Sequence, residues 1–359
     1  MRILQVVASA ERRGAEVFAY QLGLELQARG HMVSTVSLAP SDEPERLPFR
    51  SLINTNRRFA SHSRFHPGVI KDLVQELKAH DITIAHGGSG LVPTAIASIF
   101  ARRPFIYRNI GDPSFWGNVR FANLRIGLPL RRAAAVVSLY GAAGAYMTEN
   151  YGVDRSRVTV LPNSVDADSF PRRSELDQLA AKERLGLSGT QLVMGYIGAL
   201  SSEKRPEWAI SASAAITDAM LLLAGDGPLR TQLEHAYGDS PGIRFLGSTS
   251  NPAGFLAGLD VLLIPSQTEG IPAVLIEAAL VGVPVVATDV GGIQEVVQQT
   301  SCGIVVPADD ESGFASAIGL VLSNPADYLA DRASIVARHS MEQLGEQWEA
   351  LLEETVRSG

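Results

Sequence analysis

The sequence predicts two doubly wound α/β domains, and three observations carry this. The chain has 359 residues, too many for one ordinary core and a fit for two domains of common size. Short β-branched apolar runs alternate with longer runs of helical spacing. The alternation then restarts near the middle, after a polar stretch. Alternating strand and helix specifies a largely parallel sheet covered on both faces.

The expected strands of the first half are Ile3–Ala8, Met32–Ala39, Ile82–His86, Phe105–Ile110, Ala134–Leu139 and Arg157–Leu161. Several are almost wholly apolar, as strands buried on both faces should be. Between the first two, Ala15–Arg29 repeats apolar residues at helical spacing and stops at Gly30. The polar stretch is Asp168–Leu179. Beyond it come Leu192–Ile197, Ala219–Leu223, Ile243–Leu246, Val261–Ile264, Pro284–Thr288 and Gly303–Val306, each followed by a glycine-bearing turn or a helical run. Met341–Val356 reads as an amphipathic helix. The expected domains are residues 1–166 and 167–340, with 341–359 a final helix packing back toward the first domain. Such sheets bind ligands beyond the carboxyl ends of their strands, so two facing edges would form a deep cleft.

Composition narrows the function classes. Hydrophobic residues make up 46% and charged residues 19%, a globular balance. The one cysteine, Cys302, excludes a disulfide framework and a cysteine-based zinc site. The start, MRILQVVASAERRG, meets charge too early for a signal peptide and reads as a first strand. No uncharged apolar run approaches the roughly 20 residues that span a bilayer. A cytoplasmic protein is expected. The net charge of -7 hides an asymmetry: through Asp166 there are 20 Lys and Arg against 13 Asp and Glu, and beyond it 11 against 25. A basic half and an acidic half predict different partners for each.

The most informative stretch is Pro265-Ser266-Gln267-Thr268-Glu269-Gly270-Ile271-Pro272-Ala273-Val274-Leu275-Ile276-Glu277. It follows an apolar strand and opens a helix. Pro272 suits the first helical position, where no amide donor is needed. The free N–H groups after it, with the helix dipole, can hold phosphate or a sugar hydroxyl. Glu269 would sit in the loop at the mouth and Glu277 further into the helix. A carboxylate there accepts two hydrogen bonds from a vicinal diol such as ribose. Each glutamate taken alone also fits a helix cap or a solvated face.

Together these residues are far more specific. Glu269 and Glu277, separated by seven residues within EGIPAVLIEAALVGVPVVATDVGG, closely resemble the Glu-x7-Glu signature of retaining glycosyltransferases of the GT-B fold, family 4. The resemblance covers nearly the whole chain. Gly14-Ala15-Glu16, Pro162-Asn163-Ser164-Val165-Asp166 with Phe170, Leu223–Leu229, Phe245-Leu246-Gly247 and Gly291–Glu295 also match. It implies an N-terminal domain for the acceptor and a C-terminal domain for a nucleotide-sugar, with UDP favoured and GDP second.

The resemblance assigns roles to matching positions. Glu277 would bind the ribose. Glu269 would bind hydroxyls of the donor sugar, with the amides of Gly270 and Ile271 and the helix start at Pro272 and Ala273. Lys204 matches the lysine that holds the diphosphate. The usual arginine position is Ala199, a departure, and Arg205 stands where it could compensate or merely start a helix. Gly14 and Ala15 would approach the phosphates from the N-terminal domain. Gly247 and Ser248 would line the base.

No metal is expected: Asp166-Ala167-Asp168 has Asp-x-Asp spacing but lies inside the boundary motif. A lysine and helix N-termini can offset the leaving group's charge in a dry cleft. The family's strand-end histidine is replaced here by Asn109 or Arg108, neither a base. His86 ends the preceding strand and is the candidate catalytic histidine, with Arg13, Arg108 and Asn109 on the same acceptor side. Retaining enzymes of this kind react on one face, with the leaving phosphate assisting deprotonation. The basic, aromatic segment Phe115–Arg125, with Arg131 and Arg132, fits peripheral contact with anionic lipid, a grip on an anionic acceptor, or a helix packed on the sheet with its arginines solvated.

Rival classes leave their own marks. A dehydrogenase needs Gly-x-Gly-x-x-Gly and a P-loop kinase its Gly-x-x-x-x-Gly-Lys-Ser/Thr, and neither is present. No nucleic-acid-binding module is visible in this acidic chain. A nucleotide-sugar epimerase on the same fold, a two-lobed solute-binding protein and a degenerate, inactive partner subunit remain as alternatives.

Overall fold

The structure is a computed structural model that describes residues 1–39, 46–52, 66–118 and 123–358, with 117 and 118 described by backbone alone. It divides into two compact units: Met1–Ser164 with the last helix, Met341–Ser358, and Val165–Ser340. The break thus falls two residues before the expected one. Val165 is already bridged to Ser340, and its N–H donates to the His339 carbonyl.

The first unit holds a seven-stranded parallel sheet: β1 (Arg2–Val7), β2 (Met32–Ser37), β3 (Arg50–Ser51), β4 (Ile82–His86), β5 (Phe105–Arg108), β6 (Ala135–Ser138) and β7 (Val158–Val160). The spatial order is β3-β2-β1-β4-β5-β6-β7. The order reverses between β1 and β4, where Ile3 pairs with Ile82 and Val6 with Ala85. This is the doubly wound pattern, in which ligands bind at the carboxyl ends beside such a reversal.

Alternation along β1 sends Ile3 to one face and Leu4 to the other. Ile3 joins Phe18, Leu22 and Leu26 of helix Gly14–Ala28 and Met341, Leu344, Trp348 and Leu352 of the last helix. Leu4 and Val6 join Leu73 and Leu77 of helix Pro67–Ala79. An ion pair from Arg29 (3.3 Å) and a hydrogen bond between His31 and Glu349 (2.8 Å) clip the last helix down. Two-residue β3 escaped the sequence reading because it is too short to show a period.

The second unit holds β8 (Leu192–Ile197), β9 (Ala219–Ala224), β10 (Ile243–Gly247), β11 (Val261–Ile264), β12 (Val285–Thr288) and β13 (Gly303–Val306) in the order β10-β9-β8-β11-β12-β13, all parallel. Here the order reverses between β8 and β11. The polar stretch is not a plain linker: it carries a short 3-10 turn, Ala167–Ser169, and helix Glu175–Arg184 with a full capping box from Ser174 and Asp177. Among the described residues no helix is long and apolar enough to cross a membrane.

Candidate active site

The site in the second unit is built from the two loops that flank the reversal. The loop after β8 carries Lys204 and the loop after β11 carries Glu269. Lys204 Nζ lies 2.7 Å from Glu269 Oε1 and 3.4 Å from the Thr268 carbonyl. Ser266 Oγ donates to the same carboxylate oxygen at 2.8 Å. The Gln267 N–H donates to the Glu203 carbonyl at 2.7 Å, tying loop to loop. Buried Thr288, ending β12, donates to the Ser266 carbonyl at 2.5 Å. The chain then turns at Gly291, whose φ of +61° puts a hypothetical Cβ 2.4 Å from the carbonyl oxygens of Glu269 and Gly270. The Gly292 N–H donates to the Gly270 carbonyl.

Helix Ala273–Val281 follows. Pro272 is its N-cap, with φ -68° and ψ 129°, not its first helical residue. Proline has no polar side chain to cap the helix, so the N–H groups at Ala273 and Val274 meet no side-chain cap. The helix is apolar all round except for Glu277. Among the described residues no hydrogen bond or ion pair reaches the Glu277 carboxyl, and burial pushes it up to about 7. A desolvated, unpaired carboxyl one turn inside a helix is costly and points to a function.

The neighbouring strand ends are tightly nested. Tyr196 donates to the Ala199 carbonyl at 2.7 Å, the Leu200 N–H to the Asp226 carbonyl at 2.9 Å, and the Gly225 N–H to the Gly247 carbonyl at 2.7 Å. Ser248 is exposed beyond Gly247, and Ala199 is exposed as well. Arg205 departs from its expected donor role. It caps helix Pro206–Ser213 in a left-handed conformation, donates to the Ala308 carbonyl at 2.5 Å and stacks 4.5 Å over Trp208. Those contacts commit it to packing. Asp166 likewise caps its own turn, accepting from the Asp168 N–H and Ser169 Oγ. Among the described residues no cluster of three or more His, Cys, Asp or Glu could hold a metal ion.

At the first unit's reversal, Gly14 opens its helix with space around it. Ala15 is half-buried, and Arg13 is exposed and paired with Glu11 at 2.6 Å. The other acceptor-side residues are interior, a correction to the expectation that they face the edge. His86 is 2% exposed, and Arg108 and Asn109 are each 1%. His86 Nε2 donates to Gln5 Oε1 at 2.9 Å, because Gln5 Nε2 is spent on the Ala19 carbonyl at 2.8 Å. Burial, with the Arg108 charge, holds the imidazole well below its ordinary pKa. A buried, neutral, weakly basic histidine is poorly suited to a general base. Arg108 lies 3.5 Å over the Phe18 ring and donates to Asn163, while burial draws its guanidinium down to about 9. Asn109 is spent on the Gly111 carbonyl.

The sequence reading missed Ser266, Thr288, Gln5 and Asn163 as supports. Ser266 had a signal, the Ser-x-x-Glu spacing to Glu269. The others had none, because their partners are 22 to 81 residues away. In the basic aromatic segment, residues 119–122 lie outside the described residues. Trp116 packs on Tyr107 and Tyr151, and Arg131 donates to the Tyr151 carbonyl.

Comparison with known proteins agrees with this geometry. Residues 12–169 match the model described as Glycosyltransferase Family 4, and residues 191–324 the one described as Glycosyl transferases group 1. The chain is built on the GT-B fold, and the two matched stretches fall largely one in each unit. It is 31% identical over 238 residues to alpha-D-kanosaminyltransferase of Streptomyces kanamyceticus, covering 61% of this chain and 60% of that one. It is 31% identical over 215 residues to 2-deoxystreptamine glucosyltransferase of the same organism, covering 56% and 54%. The matches thus span little more than half the length of these relatives. Anabaena HepE, solved with UDP and glucose, shares the fold with a TM-score of 0.84 and 22% identity over 99% of this chain and 100% of that one.

Proposed function

We propose that this protein transfers a hexose-type sugar from a nucleoside-diphosphate sugar to a glycan, lipid-linked or small-molecule acceptor, with retention and without a metal. UDP is the favoured nucleotide and GDP the second. Work in the cytoplasm, peripheral at the inner membrane face through the basic first unit, belongs to the same reading. The observation that carries it is the Lys204–Glu269 pair across the β8/β11 reversal, with unpaired Glu277 on the next helix.

Each part has a chemical task. Glu277 accepts hydrogen bonds from the ribose diol. Glu269, steadied by Ser266, accepts from sugar hydroxyls, and the N–H groups opening helix Ala273–Val281 face anionic or hydroxyl groups. Lys204 balances charge on the diphosphate as the C1–O bond breaks and its electron pair leaves with the phosphate. The acceptor oxygen bonds to C1 from that same face, and its proton passes to the departing phosphate oxygen. Such a route spares buried His86 a base's role. The UDP in the HepE structure and the alpha linkage in a relative's name support this reading.

The test is a thermal-shift panel of UDP, GDP, ADP and their common sugars, with and without EDTA. A nucleotide that binds the native state raises Tm. Stabilisation by UDP or its sugars, unchanged by EDTA, is expected. No stabilisation by any nucleotide would overturn the reading in favour of a degenerate partner subunit, with exposed Ala199 the first suspect.

A further inference from the structure

One face of the first unit carries two hollows that the chemistry above does not use. The first, about 770 Å³, runs along helix Gly87–Ala101 from Gly88 to Ile99, roughly 16 Å at the helical rise, and is walled by Leu124 and Leu128. Its lining is mainly apolar. Ile99, Leu124 and Leu128 are 57%, 63% and 50% exposed, and neighbouring Phe100 is 66% exposed. The second hollow, about 690 Å³, is lined by Arg102, Arg103, Arg132 and Arg157, with Glu354 as its one acid. Ile99 and Arg132 belong to both. Among the described residues Arg102, Arg103 and Arg132 form no ion pair.

Monomers rarely leave so many large apolar side chains together in water. The charge beside them selects the occupant. A polyanion such as nucleic acid would satisfy the arginines and leave the apolar hollow wet. An apolar protein helix would do the reverse. An amphiphile with an apolar chain joined to an anionic head satisfies both at once, with the junction near Ile99 and Arg132. We propose that this face docks on a membrane of anionic phospholipid, its apolar side chains entering the interfacial region and its arginines meeting the phosphates. The proposal rests on the peripheral-membrane part of the reading above and names the face that makes the contact.

The test is sedimentation of the full chain with sucrose-loaded vesicles. Expected is binding to phosphatidylglycerol-containing vesicles but not to phosphatidylcholine alone, weakening as salt rises. The double variant Arg102→Glu/Arg103→Glu should lose about tenfold or more in partitioning, since each basic group near the surface adds to the attraction. Leu128→Glu should lose binding through the apolar hollow. Both variants should keep the wild-type nucleotide thermal shift, which shows that they fold. Wild-type binding that is absent, or that neither variant reduces, overturns the proposal. So does self-association of the wild type, abolished by Leu128→Glu, without vesicle binding. Failure of the nucleotide shift in the wild type would instead sink the transferase reading and leave the vesicle result standing.

Discussion

At the scale of single residues, Glu277 and Glu269 lie in one candidate site but in different environments. Glu277 is desolvated and unpaired, with its carboxyl raised to about 7. The ribose binding proposed for it uses the ionised form, so nucleotide affinity should hold above pH 7 and fall as pH drops below it. Titration calorimetry between pH 6 and 8 checks this, and a flat profile would remove Glu277 from the binding step. Stability runs the other way. A raised carboxyl pKa favours the fold at low pH, and that advantage is lost as pH rises through about 7. Glu277→Gln should therefore raise Tm at pH 8, leave it nearly unchanged near pH 4 and weaken UDP binding. Glu269 instead neutralises Lys204 at 2.7 Å. Glu269→Gln should free that charge and tighten bare UDP on the order of threefold, while lowering sugar transfer. Equal losses in both would mean that Glu269 acts only as scaffold.

At the scale of elements, the site depends on turns that pin loops to strands. Gly291 makes one of these turns. Its left-handed φ and the carbonyls 2.4 Å from any Cβ leave alanine no room without moving the Glu269 loop. Strain of this kind costs about 1–3 kcal/mol, so Gly291→Ala should weaken nucleotide-sugar binding by about tenfold or more. The comparison to make is with Gly319→Ala in helix Glu311–Ser323, where nothing lies within 4 Å of a Cβ. If both variants bind alike, the turn is not what shapes the site.

At the scale of the whole molecule, the chain leaves its first unit at Ser164 and returns at Met341. The returning helix completes a core rather than decorating it: Trp348 is fully buried among Ile3, Ile82, Ile84 and Leu344. Trp348→Ala should cost about 3–5 kcal/mol, read as an earlier transition in urea. Loss below about 1 kcal/mol would show that the first unit holds without its last helix.

The sequence by itself determined the elements and the motif that marks the candidate site. Strands buried on both faces must be apolar throughout, and the helices between them must carry an apolar stripe. Both patterns are local, so twelve of the thirteen strands were legible, and the seven-residue spacing of Glu269 and Glu277 stood out in the same way. Tertiary structure decided which polar residues are spent. Nothing local distinguishes Arg205 at a helix start from an arginine on a phosphate; Ala308, 103 residues away, makes the difference. Nothing local buries His86 against Gln5, 81 residues distant, or lifts the Glu277 carboxyl. Hydrogen-bond satisfaction and desolvation depend on what the fold brings near, and sequence spacing carries that information only within a turn or two of the chain.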